Sequence, residues 1–150
     1  LRGTYKMLHL PDGLSQDSLH MLMTCEPQIK EIGDLISRTD VLLFGIGTAM
    51  RMADQRHIAD DVRKQLVDNH AVGEALGQYC DIDGKLIYST NNIGLSLPDV
   101  AKIPNVIAVA GGQDKSSAII GVMRACQKGI LIIDEQAAEG MRQLLQISAL

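Results

Sequence analysis

With 150 residues, 46% of them apolar and 21% charged, the chain has the size and balance of one globular domain. Its formal net charge of -4 argues against a nucleic-acid platform within this segment, since phosphate backbones require concentrated Lys and Arg. The longest apolar runs (41–44, 106–110 and 130–133) are too short to cross a bilayer, which takes about 20 residues. A small anionic ligand needs only a few local donors and remains compatible with this composition.

The chain opens Leu1-Arg2-Gly3-Thr4-Tyr5, with neither an initiator Met nor a secretory signal, so a segment of a longer polypeptide is expected. Cys25, Cys80 and Cys126 are odd in number, widely spaced and free of CxxC or Cys/His ligand patterns. They are expected to be small core residues in a protein of the reducing cytosol, not a disulfide framework or a zinc site. His9, His20, His57 and His70 show neither HxH nor HExxH spacing, so no metal is expected.

In chain order, residues 5–10 read as a strand ending at the turn Pro11-Asp12-Gly13. Ser15 or Asp17 then caps a helix with Leu19, Leu22 and Met23 along one side; Met21 and Met23 read as core filler. Pro27 restarts the chain as a second helix, where Ile29, Ile32, Leu35 and Ile36 recur at helical spacing. Residues 41–44 are a short apolar run typical of a strand covered on both faces, and Gly45-Ile46-Gly47 closes it. A polar helix over 59–67 is broken at Asp68-Asn69-His70.

Segments 76–80 and 86–89 flank Asp83-Gly84, a strong hairpin signal. Leu97-Pro98-Asp99 leads into a short helical turn. Residues 106–110 form a second buried strand, followed by Gly111-Gly112 and a helix that turns Ala118, Ile119, Val122 and Met123 inward. A third buried strand over 130–133 and a closing helix over 135–147 complete the chain. Buried strands alternating with amphipathic helices predict an α/β fold, a doubly wound and mostly parallel sheet with a β-hairpin at an edge or as an insertion. Ligands in such folds sit at the carboxyl ends of the strands.

The loop leaving the 106–110 strand is therefore the first candidate site. Gly111 and Gly112 permit positive φ and a close approach to the backbone. The helix start beyond them offers unpaired N–H groups to an anion, Lys115 adds a charge, and Ser116 and Ser117 add hydroxyls. The same residues also suit a plain turn, with Asp114 as the cap and Lys115 in solvent. Gly45-Ile46-Gly47 lacks the third glycine of GxGxxG and the GKS/T of a P-loop, so it reads as a tight turn. Arg51 and Arg56 share a polar stretch with Asp54, His57, Asp60 and Asp61; surface ion pairs are the plainer account, although either arginine suits a bidentate grip on phosphate. Glu74, among small and apolar residues, is either an ordinary exposed glutamate, an acceptor for a sugar hydroxyl, or a general base.

Taken in order, Leu10-Pro11, Glu26-Pro27, Val41-Leu42-Leu43-Phe44-Gly45-Ile46-Gly47, Ala71-Val72-Gly73-Glu74, Asp83-Gly84 and the Ile107 to Ile119 stretch with Gly111-Gly112 and Lys115 resemble the sugar-binding domain of SorC-type transcriptional regulators. Within that family the chain looks most like the regulators of central glycolytic genes in Gram-positive bacteria. The resemblance implies a phosphosugar-isomerase-like (NagB/RpiA-type) domain without catalysis. Such a domain senses a phosphorylated sugar and controls operator DNA binding by an N-terminal helix-turn-helix that is not in this chain.

By that resemblance, Gly111, Gly112 and Lys115 hold one phosphate and Glu74 faces the sugar. The family's basic pair after Met-Ala-x stands here as Gln55-Arg56, so its first basic position is replaced and Arg56 is left to grip a second phosphate. The chain resembles the carboxyl-terminal part of the effector domain, beginning at its second strand, which would leave an edge or an apolar face in need of cover. A cytoplasmic homo-oligomer with no membrane partner and no cofactor is expected. Two other functions compete: a sugar-phosphate isomerase or deaminase with Glu74 as base, and a dinucleotide-binding domain using Gly45 to Gly47.

Overall fold

The computed structural model describes residues 3–10 and 13–146. In chain order its elements are α1 (Gln16–Cys25), α2 (Pro27–Ile36), β1 (Val41–Gly45), β2 (Gly47–Thr48), α3 (Ala49–Gln55), α4 (Asp60–Asp68), β3 (Gly73–Ala75) and β4 (Gln78–Cys80). There follow β5 (Leu86–Ser89), α5 (Leu97–Val100), β6 (Asn105–Ala110), a 3-10 turn (Gln113–Lys115), α6 (Ser116–Cys126), β7 (Ile130–Ile133) and α7 (Glu135–Leu144).

The strand expected over 5–10 does not form. Residues 3–10 pair with no other strand, and Tyr5 and Met7 are exposed; an extended segment without a partner has nowhere to place its backbone bonds except water. Pro11 and Asp12 lie outside the described residues. Ser15, not Asp17, caps α1, its Oγ accepting from Ser18 N at 3.1 Å. Pro27 occupies the first position of α2, where its missing N–H costs nothing. Leu19 is buried, but Met21 is exposed and is not core filler. Met23 lies against Gly33, where a Cβ would meet its side chain.

β1, β6 and β7 make a parallel sheet in the order β1-β6-β7, with Gly45 opposite Val109 and Ala110 opposite Ile133. One face of this sheet carries Phe44, Val106, Ala108 and Ala110, packed with Ala118, Ile119 and Val122 of α6 and Ala137 of α7. The other face carries Val41, Leu43, Val109, Ile130 and Ile132, all exposed. The α/β class is as expected; the cover on both faces is not, because among the described residues no helix packs over that second set. The alternation follows from the two-residue period of a strand, which sends neighbouring side chains to opposite faces.

The hairpin region is larger than expected: a four-stranded antiparallel sheet in the order β2-β3-β4-β5. The segment 76–80 is not one strand. Leu76 (φ 55°) and Gly77 (φ 78°) are the two left-handed residues of a tight turn joining Ala75 to its partner Gln78. The expected Asp83-Gly84 hairpin is present between β4 and β5, closed by Asp81 Oδ1, which accepts from the N–H groups of Asp83 and Lys85. This sheet seats against α6 through small residues: a Cβ at Gly73 would stand 2.7 Å from the Ala118 carbonyl oxygen, and one at Gly121 would strike that of Asp81. Cys80 and Cys126 are buried in the core as expected, whereas Cys25 is exposed. α7 ends at Leu144, and Ile147 lies outside the described residues.

Candidate functional site

Parallel register decides what meets at the carboxyl edge of the sheet. β1 ends at Gly45 beside Val109, and Ile46 N–H donates to the Val109 carbonyl at 3.2 Å. One residue later the chain enters β2, where Gly47 pairs with Glu74 on β3. Gly47 has no room for a side chain, since a Cβ there would strike Met52 of α3. From the β6 end, Lys115 extends back across this junction and its Nζ donates to the Ile46 carbonyl at 2.9 Å.

A cavity of about 430 Å³ opens at this junction, within the range of small-ligand sites. Lys115, Arg51, Arg56, Gln55, Glu74 and Thr48 supply its polar lining, and Phe44, Leu76 and Val109 part of its apolar wall. Among the described lining residues, three cations thus face a single carboxylate. Glu74 is 3% exposed, so the ordinary exposed glutamate is excluded. Its Oε1 accepts from Gly77 N at 2.7 Å and from Arg56 Nη2 at 3.2 Å. A buried carboxylate requires such donors, because removing a charge from water without them is prohibitive. Arg56 comes from the end of α3, a helix that composition did not reveal, and one-quarter of its side chain remains exposed. The plainer account of Arg56 as a surface ion pair is therefore corrected, while Arg63 does make one, with Asp54.

Of the residues singled out by sequence, Lys115, Gln55, Arg56 and Glu74 share this cavity, and Arg51 joins them. Gly111 and Gly112 do not line it. The Gly112 N–H donates to the carboxylate of Asp134, at 2.9 Å to Oδ2 and 3.1 Å to Oδ1. Ser116 is buried and its hydroxyl donates to the Gln113 carbonyl at 2.7 Å, so it offers nothing to a ligand there. Asp114 does not cap α6, whose first turn has no side-chain cap. Asp134 escaped sequence reading. The signal was the register itself: with Ala110 opposite Ile133, the next residues, Gly111 and Asp134, emerge side by side.

The tight turn expected at Gly45-Ile46-Gly47 does not form: Gly45 ends β1, Gly47 opens β2 and no turn or bend separates them, so the segment also lacks the helix N-terminus that a dinucleotide fingerprint needs. Among the described residues no group of His, Cys, Asp and Glu could hold a metal ion. A larger cleft, about 980 Å³, lies between α1, α2 and the loop after β5, but none of the candidate site residues lines it.

Residues 1–143 match the family model of the sugar-binding domain, named Sugar-bind, and the chain belongs to that family, the sugar-binding domain of SorC-type transcriptional regulators. It is 37% identical over 137 residues to the central glycolytic genes regulator of Bacillus subtilis, and 38% identical over 135 residues to the one from Priestia megaterium. Those alignments take in 91% and 90% of this chain but only 40% and 39% of the relatives, so the chain spans about two-fifths of their length. Among solved structures, a SorC family transcriptional regulator from Enterococcus faecalis superposes with a TM-score of 0.84 at 38% identity, over 93% of this chain and 56% of that one.

Proposed function

We propose that this chain is the effector-sensing part of a cytoplasmic bacterial transcriptional regulator, and that its cavity takes a phosphorylated sugar. The observation that carries the reading is the convergence of Lys115, Arg51 and Arg56 on one cavity around the buried Glu74. Ammonium and guanidinium groups suit phosphate oxygens, and a buried acceptor-only carboxylate suits sugar hydroxyls. Membership of the sugar-binding family and the names of the relatives, which are regulators, support it. Operator DNA is contacted through a helix-turn-helix outside this segment, which has a net charge of -4. The exposed apolar sheet face agrees with a place inside a larger, homo-oligomeric effector domain.

Mechanistically, a phosphate between Lys115 and Arg56 ties the bend after β6 to the end of α3. The ligand controls DNA binding only so far as it binds one arrangement of the assembly better than the other. Catalysis is not part of this reading. An isomerase needs a base and a partner group at the substrate, yet among the described residues Glu74 is the only carboxylate lining the cavity, its Oε1 accepts from two donors, and His70 and Asp68 are not part of the lining. A thermal-shift screen of the intact protein against hexose and triose phosphates tests the proposal. A ligand that binds only the folded state raises the melting temperature, and a flat response across the panel contradicts the reading.

A further inference from the structure

The two glycines after β6 suggest a backbone laid bare for a ligand, but the group that approaches them in the structure belongs to the protein. A Cβ at Gly111 would stand 2.7 Å from Asp134 Oδ2. Gly112 adopts φ 96° and ψ 141°, a conformation that L side chains rarely tolerate, and delivers its N–H to both oxygens of the same carboxylate. Asp134 also caps α7, its Oδ1 accepting from Ala137 N at 2.8 Å. These donors hold the Asp134 carboxyl below the usual carboxylate range, the Ala137 N–H contributing most and the Gly112 N–H next. Three residues beyond Gly112 stands Lys115, whose 3-10 turn packs against α7 through the Ser116 hydroxyl and Gly140, where a Cβ would strike Ser116.

We propose that Asp134 is a positioning residue for the effector site: its carboxylate fixes the Gly112 peptide and so sets the bend that carries Lys115 into the cavity. The inference rests on the reading of that cavity as a phosphosugar site, and it assigns the glycine pair to the protein's own anion instead of the ligand's phosphate. It also makes the β7–α7 junction, which does not line the cavity, a determinant of affinity.

Asp134→Asn separates anchoring from capping. Asn caps a helix about as well as Asp, but it puts an NH2 donor in place of Oδ2, the oxygen nearer the Gly112 N–H, so a donor faces a donor there and only the longer contact to Oδ1 is left. In the intact protein, titrated with glucose 6-phosphate, fructose 6-phosphate and glyceraldehyde 3-phosphate, the variant should bind the accepted ligand about tenfold more weakly, with a melting temperature within about 2 °C of wild type. Asp134→Ala should lose both affinity and melting temperature. Residue-resolved hydrogen exchange gives a readout that needs no ligand: the Gly112 amide should be protected in the wild type and exposed in Asp134→Asn, while Ala137 stays protected in both. Wild-type affinity in Asp134→Asn, tighter binding through a released Gly112 N–H, or an unprotected Gly112 amide in the wild type would each overturn the proposal. Absence of sugar-phosphate binding by the wild type, with the Gly112 amide protected, would instead remove the phosphosugar reading and leave the anchor standing as a structural feature only.

Discussion

Arg56 Nη2 lies 3.2 Å from Glu74 Oε1 although eighteen positions separate the two residues in the chain. The pair joins the end of α3 to the second strand of the antiparallel sheet, and it places a buried negative charge at the wall of a cavity otherwise rich in cations. Removing the arginine takes away one of the donors that hold the buried carboxylate. Arg56→Ala should cost about 2–3 kcal/mol of stability, less than a fully buried pair because Gly77 N–H still holds Glu74 and Arg56 is partly solvated. Urea denaturation measures it, and a loss below about 0.5 kcal/mol, the level of a surface pair, would contradict the account.

The tight turn beside Glu74 carries its own test. Leu76 has φ 55°, a conformation that costs a non-glycine residue roughly 1–2 kcal/mol. It is held by Asn92 Nδ2, which donates to the Leu76 carbonyl at 3.1 Å, and by Thr90, whose N–H and Oγ1 donate to that of Gly77. Leu76→Ala and Leu76→Asn both lose the apolar side chain, but Asn tolerates the left-handed conformation. The Asn variant should therefore be the more stable by about 1 kcal/mol. Equal midpoints in urea, or a more stable Ala variant, would show that the turn is unstrained.

How much of this was legible in the sequence varies with the element. β1, β6 and β7 announce themselves as continuous apolar runs, although one face of the sheet they form is exposed. β2 and β3 do not: Gly47, Thr48, Gly73, Glu74 and Ala75 are neither β-branched as a group nor alternating; the turn at Leu76-Gly77 pairs β3 with β4, and β2 joins β3 only after α3 and α4 have intervened. α3 is seven residues long, too short for its period to stand out. Of the site, Lys115 and Glu74 could be singled out because each departs from its surroundings. The contacts of Asp134 and the Arg56–Glu74 pair are set by strand register and by packing between distant segments, which local composition does not encode.

Thiol chemistry follows burial. Desolvation pushes the Cys80 thiol up to about 12, with Asp81, Cys126 and Glu74 adding to the shift, and desolvation pushes Cys126 up to about 11. A thiol whose folded pKa exceeds its unfolded value near 9.0 favours the folded state fully below pH 9, and that contribution is lost as pH rises through 11 to 12. Stability measured in urea should therefore fall progressively above pH 9. A colorimetric thiol reagent at pH 8 should label Cys25 at once, and Cys80 and Cys126 only on unfolding. Rapid labelling of either buried thiol in the native protein would contradict this.

The most direct test is calorimetric titration of the intact protein with hexose and triose phosphates, run in parallel for the wild type and Lys115→Ala. Saturable binding by the wild type is expected, with a loss of about 1.5–3 kcal/mol in the variant as one charge-assisted hydrogen bond disappears. No heat with any sugar phosphate, or equal affinity in the two proteins, would contradict a phosphate seat at Lys115.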